Sequence, residues 1–329
     1  MRQNTQASAI SLQAAADFLG PGAIEINRYQ TEITDLVRRR LPFGQRINQT
    51  LATGHPSRYF EQLAIPTASA TDPRALTSTA SQPTRVERVV MLKAITAQIN
   101  FGLFDVEVNQ QQGQFAYLEA KDLTDAVDSV LKYHDISLWS GADTDLLAST
   151  STQYYGASGQ IVNAAAGSYG LPGGLQTISA TGSMVDGIKT TVAKMANRTD
   201  FEVRPSAFYG NPMFLDAIDQ EGKKFQLYFN QTEILPGVVV EAIPTQMGIL
   251  PLIADPGITL GAGANSTTQY TGFIVSEDLI EYHYLTDPLP RTFQMGLVGN
   301  LAAQYVIVKF GAPVVKAAGY AHAVVTTTR

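Results

Sequence analysis

Residues 64–84, AIPTASATDPRALTSTASQPT, set the tightest limit on what this chain can become. They contain little but Ala, Ser, Thr and Pro, and they run well past the ~12–15 residues at which a loop without secondary structure becomes unusual in a compact domain. Ordering a segment costs conformational entropy that only buried contacts offset, and this one has almost no apolar side chain to bury. Either it stays loose or another molecule holds it. The surface as a whole has the same character: 45% of the 329 residues are hydrophobic and only 16% are charged, against about 25% in ordinary globular domains. Much of the exterior is therefore Gln, Asn, Ser, Thr and Ala, which suits extensive contact with other chains.

The first fifty residues pose the same problem. Ile24, Ile33, Leu36, Val37 and Leu41 hint at one amphipathic piece, closed by Arg38, Arg39 and Arg40 and then Pro42. No core can be built from that alone, so removing residues 1–45 is expected to leave a folded body that assembles poorly. The charge is also uneven. Residues 1–60 carry seven Arg and four acids, net +3, which leaves 23 − 7 = 16 bases and 29 − 4 = 25 acids, net −9, for the remainder. A formal charge of −6 argues against a protein whose whole surface grips nucleic acid. Arg38, Arg39, Arg40 and Arg46 are candidates for intersubunit or DNA-proximal contacts, with a solvated helix end as the plain alternative. The chain has no cysteine, which rules out disulfides, thiolate nucleophiles and Cys-ligated zinc. It lacks an apolar leader segment and any run of ~20 apolar residues, so the expectation is a soluble protein used without secretion and without a membrane.

The body reads as α+β. Residues from Val86 to Asn109 are rich in β-branched and aromatic side chains and alternate in part through Ile95, Ala97, Ile99, Phe104, Val106 and Val108, which predicts strands. A long helix follows, from about Ala116 to Trp139. Leu123, Ala126, Val127, Val130, Leu131, His134 and Leu138 fall on its apolar side, and Asp125, Asp128, Lys132 and Asp135 on the other. Residues 148–182 read as irregular surface, with GSYGLPGGL as a dense turn cluster. Ser183, with Asp186 three positions later, opens a helix in the manner of a capping box. Asn211 and Pro212 open another as N-cap and N1, and Gly222 is expected at its left-handed C′ position, before a strand at residues 225–230. Pro-punctuated strands follow around Val238–Ile258. The closing segments FIVSEDLIEYHYL and AAQYVIVKFGAPVVKAAG read as strands that return to the sheet of residues 86–110.

Catalytic signatures are missing from the sequence. GAGANS at 261–266 lacks the third glycine and the following helix of a dinucleotide site, and GASG at 156–159 is one residue short of a nucleophile elbow. The histidines, 55, 134, 283 and 322, are not at metal-ligand spacing. His134 beside Asp135 points about 100° away from it on a helix, so it reads as a boundary histidine rather than half of a dyad. Asp143/Asp145 and Glu277/Asp278 read as solvated turn carboxylates. No catalytic, cofactor-binding or metal-ligating residue is assigned.

A polar arm, a long loop before strands, one long helix, a small α+β middle and returning strands occur in that order. This order resembles the major capsid proteins of tailed bacteriophages, the Hong Kong 97-type fold. FYGNPMFLDAI at 208–218 is similar to the aromatic-x-Asn-Pro strand-to-helix step of the family's axial domain. GVVVEAIPTQMGILPLIADPGI at 237–258 is similar to the strand pair that follows it, and FIVSEDL to the return strand. The resemblance implies an N-terminal arm at 1–50 and an extended E-loop with flanking strands at 51–100. It further implies a P-domain with its spine helix at 101–147, an A-domain at 148–270, and P-domain return strands with a tail at 271–329. It also implies a structural protein, not an enzyme, with no cofactor. Such a protein is made in a bacterial host's cytoplasm and built as hexamers and pentamers into an icosahedral virion shell around double-stranded DNA. Its partners would be sister copies, portal, scaffold and decoration or cement proteins, with weak non-specific contact to the genome. An encapsulin-type compartment shares the fold; the basic arm and long loop favour the phage reading. A soluble α+β enzyme or a surface adhesin stands further off, since either needs a pocket of converging polar residues.

Overall fold

The computed structural model describes residues 40–328, except 71, 75–80, 103, 105–106, 108–117, 148–150, 167–174, 179–181, 198–201, 225–229, 236–237, 263–267 and 299–301. Arg38, Arg39 and the expected amphipathic piece before Leu41 lie outside those residues, as do Val106, Val108 and the strand expected at 225–229.

Two sheets organise the body. In the first, β4 (Lys93–Gly102) pairs along one side of the long strand β14 (Ala302–Val315), while β13 (Arg291–Val298) and β12 (Ile280–Tyr284) share its other side. The short β1 (Asn48–Leu51) runs parallel beside β12. Helix α2 (Leu118–Ser140) lies across β4 and β14. The β4 burial pattern explains the fit: Ile95 and Phe101 are buried while Ala94, Thr96, Gln98 and Asn100 are exposed, the period of two expected of a half-covered strand. The strand stops at Gly102, and Phe104 is helical rather than a continuation of the alternation.

In the second sheet the order is β5 (Leu175–Ile178), β15 (Ala323–Thr328), β11 (Thr268–Val275), β6 (Ala207–Gly210), β9 (Gly248–Ala254), β8 (Val238–Thr245) and β7 (Asn230–Leu235), with β10 (Gly261–Ala262) against β11. Helices α4 (Met184–Ala196) and α5 (Pro212–Lys224) bury Val185, Ile188, Val192, Met195, Phe214 and Ile218 against it. Phe273–Val275 therefore belong to this second sheet, between β15 and β6, and not to the sheet of β4. The expected boundary at 270 falls inside β11, and the last strand of the chain also joins the second sheet. Strands β8 and β9 run straight through Pro244 and Pro251. Pro251 is tolerated because the pairing of β9 with β6 begins one residue later, at Leu252.

Two further expectations give way. Gly222 is a buried residue inside α5, which continues to Lys224, because the neighbouring Glu221 is itself buried and tied to α4. Part of the supposedly irregular stretch 148–182 is helix α3 (Ala157–Ala166) and strand β5. Gly156, just ahead of α3, serves close approach: a Cβ there would sit 2.2 Å from the Trp139 carbonyl oxygen, as one on Gly141, just past α2, would from that of Tyr154. The GSYGLPGGL cluster lies, up to Gly174, outside the described residues.

A third, two-stranded sheet stands apart. β2 (Ser57–Ala64) and β3 (Thr84–Val90) form an antiparallel hairpin whose connection is the 64–84 loop.

Candidate assembly surface and the polar clamps behind it

The arm enters the body through helix α1 (Pro42–Arg46), and its attachment is built from buried carboxylates. Asp135, fully buried on α2, accepts from Arg40 Nε at 2.9 Å and from the Leu41 amide at 3.0 Å. It therefore does not face solvent with Asp125, Asp128 and Lys132. Its burial raises its pKa, opposed by those two donors. Asp255 is equally buried: Oδ2 accepts from the Phe43 amide at 3.2 Å and from Trp139 Nε1 at 3.1 Å, and Oδ1 from the Gly257 amide at 2.8 Å. Burial raises this carboxyl too. Phe43 stacks on Trp139 at 4.0 Å, and Trp139 on Phe273 at 4.9 Å, so α1, α2 and β11 meet in one aromatic column.

Arg46 forks onto Glu277 with bonds of 2.6 and 2.8 Å and also donates to the Tyr209 hydroxyl at 3.1 Å. Its pKa is raised chiefly by the Glu277 hydrogen bond. The cations proposed for intersubunit or DNA contact are thus used inside the chain at Arg40 and Arg46. With Phe43 fully buried, a cut at residue 45 would remove core, not only arm. That truncation is therefore expected to cost the body stability as well as assembly.

The caps read from the sequence are visible. Asn211 Oδ1 accepts from the Met213 amide at 3.0 Å, Pro212 is the first residue of α5, and Ser183 Oγ accepts from the Asp186 amide at 3.2 Å. What the sequence conceals is Glu221, whose carboxylate crosses from α5 to accept from Ser183 Oγ and from the Met184 amide at the positive end of α4. His134 is not at a boundary. It is buried edge-on to Tyr282 (4.5 Å) and Tyr154 (5.9 Å), and burial lowers its pKa well below the usual value. Buried Lys309 lies 4.8 Å over the Tyr282 ring and donates to the Pro288 carbonyl, its pKa pushed down to about 8 by desolvation.

Ser57 Oγ is 2.9 Å from His283 Nδ1, whose Nε2 is 3.1 Å from Glu281, a set with the composition of a hydrolytic triad. Ser57 has no exposed surface, however, so no substrate can reach its hydroxyl. Asp143 is no solvated turn residue either, since it is buried and paired with Lys93. Among the described residues no group of three His, Asp or Glu side chains is placed to hold a metal ion, and no helix is long and apolar enough to cross a membrane. Two cavities of about 400 and 350 Å³ lie beside α2, and neither is lined by a charged residue.

The exposed apolar residues are what remain. Phe60 on the hairpin is 72% exposed and Ile65 beyond it 75%. Leu289, Phe293 and Met295 are exposed on or beside the edge strand β13, and Met213, Met247 and Ile249 on the second sheet's side.

No family model matches the chain, and no curated protein matches it. Solved structures do. The capsid asymmetric unit of cyanophage A-1(L) aligns over 93% of this chain and 97% of its own at 11% identity and a TM-score of 0.64. A structure of Mycobacterium phage Bobi aligns over 92% and 95% at 11% identity and 0.57. A holo-encapsulin complex from Synechococcus elongatus aligns over 96% and 94% at 13% identity and 0.53. The fold is the α+β Hong Kong 97-type shell fold.

Proposed function

We propose that this chain is the major capsid protein of a tailed bacteriophage, a structural subunit that closes into an icosahedral shell of hexamers and pentamers around double-stranded DNA. The observation that carries this reading is the β2–β3 hairpin. It presents exposed Phe60, with exposed Ile65 just beyond, on a two-stranded ribbon that is paired with neither body sheet, on a fold similar to shell subunits along nearly its whole length. The ribbon's exposed apolar groups gain burial only from another chain. The net charge of −6 supports a wall that confines a genome without gripping it. Sister copies are the principal partners; portal, scaffold and decoration proteins follow from the phage reading, as do a virion location and synthesis in the host cytoplasm.

Electron microscopy of the purified chain tests this. Closed shells are expected; a monodisperse monomer or dimer at high concentration refutes the reading. The likeness to an encapsulin complex supports a second reading, a protein-storing compartment, and shells from the native source that contain protein cargo in place of DNA would decide for it.

A further inference from the structure

The hairpin turns alternate side chains toward the body. Arg58, Phe60 and Gln62 are exposed, whereas Ser57 reaches His283, and the Tyr59 ring lies edge-on to His283 at 6.1 Å and 5.9 Å from the Lys316 ammonium. Glu61 reaches furthest. Its Oε1 accepts from the backbone amide of Ala317 at 2.8 Å, its Oε2 from Arg88 Nε at 3.0 Å, and its side chain is 12% exposed. Ala317 is the corner at which β14 leaves the first sheet and the chain passes, through helix α6 (Ala318–Ala321), into β15 of the second. Among the described residues it is also the non-glycine with a left-handed backbone, φ 50° and ψ 39°. That conformation is unfavourable for an alanine and persists only where surroundings hold it. A side chain carried by the hairpin thus binds the amide of the strained corner between the two sheets.

We propose that Glu61 is a latch that couples the tilt of the hairpin to that corner. Arg88, on the hairpin's own second strand, fixes the carboxylate from one side, so the hairpin cannot swing outward and leave Glu61 behind. Outward motion must strip the Ala317 amide of a charge-assisted acceptor or pull the corner with it. The two segments therefore loosen together or not at all. The consequence for assembly rests on the shell reading: hairpins latched at one tilt present Phe60 at one place in every copy, which favours shells of one diameter.

Hydrogen exchange on the full-length, unassembled chain tests the latch directly. Glu61→Ala is expected to speed exchange in the hairpin (57–62 and 84–90) and at 316–321 together, by roughly tenfold or more, while α2 keeps its protection. Glu61→Gln, whose amide oxygen still accepts from Ala317 without the charge that holds Arg88, should give a smaller change in the same two segments; it serves the same comparison if the alanine variant does not fold. A change in one segment without the other, or in neither, overturns the proposal. Micrographs of Glu61→Ala should show a broader range of particle diameters, and coupled loosening with shells of wild-type diameter overturns the link to shell size. If the wild-type chain forms no shells, the shell reading fails, while the exchange comparison still decides the latch.

Discussion

Replacing Asp255 with alanine removes one acceptor from three buried donors at once. The Phe43 amide, Trp139 Nε1 and the Gly257 amide lie 3.2, 3.1 and 2.8 Å from its two oxygens, and neither Phe43 nor Trp139 has appreciable exposed surface through which water could replace it. Hydrogen bonds to a charged group contribute about 1.5–3 kcal/mol each. The carboxylate itself is disfavoured by burial, which raises its pKa, so part of that sum is already offset in the wild type. A net loss of about 3–5 kcal/mol follows, the range seen when one partner of a buried polar cluster is deleted. Trp139 is the single tryptophan of the chain, so its fluorescence reports on this cluster alone. Guanidinium unfolding of the unassembled chain should show an earlier midpoint at unchanged slope, with native emission already red-shifted as Phe43 withdraws from the indole. Asp255→Asn keeps one acceptor but turns an N–H₂ toward at least one donor, and should fall between the two. A loss below about 1 kcal/mol with unshifted emission would show that the clamp does not hold the arm root.

Three other outcomes test neighbouring parts of the same logic. A Cβ on Gly44 would lie 2.0 Å from Asp135 Oδ1, so Gly44→Ala should displace the Arg40–Asp135 pair and cost about 2–4 kcal/mol in thermal denaturation. Deletion to residue 45 removes fully buried Phe43 and should destabilise the body by about 3–5 kcal/mol in the same denaturation. His322 accepts from the Ser276 amide at Nδ1 and lies 3.1 Å from the Lys316 carbonyl at Nε2, a neutral tautomer whose pKa burial lowers from 6.5 to about 4. The unfolded chain therefore binds the extra proton first, so this contribution is complete above about pH 6.5. It is lost as pH falls toward 4, by up to about 3 kcal/mol. Buried His134 acts with the same sign, and Asp135 and Asp255, whose raised pKa values relieve a burial penalty in acid, act against it. His322→Gln keeps both hydrogen bonds without the titration and should flatten the fall of melting temperature between pH 6.5 and 4.5; an unchanged slope refutes the assignment.

What the sequence made legible follows the range of the interactions involved. The α2 stripe, the Asn211–Pro212 opening of α5 and the Ser183 cap are decided within four residues of themselves, and they stand where periodicity and capping chemistry put them. His134 and Asp135 show where such reasoning stops. Both were assigned from one helix's geometry, yet their burial is decided by Tyr282, 148 residues on, and by Arg40, 95 residues back. Gly222 failed for the same reason, because Glu221 beside it serves the far end of another helix and keeps α5 wound past the glycine. The clamps on Asp255, Glu221 and Glu61 left no local trace, since a buried acid and a solvated one are the same letter. One weak signal existed: 16% charge is little for 329 residues, and in a charge-poor chain each acid set between apolar strands is a stronger candidate for internal work than it would be in a charge-rich one. The strand-flanked acid of ADPG at 254–257 is such a case, and it is the residue on which the arm root, the indole and the 257 turn converge.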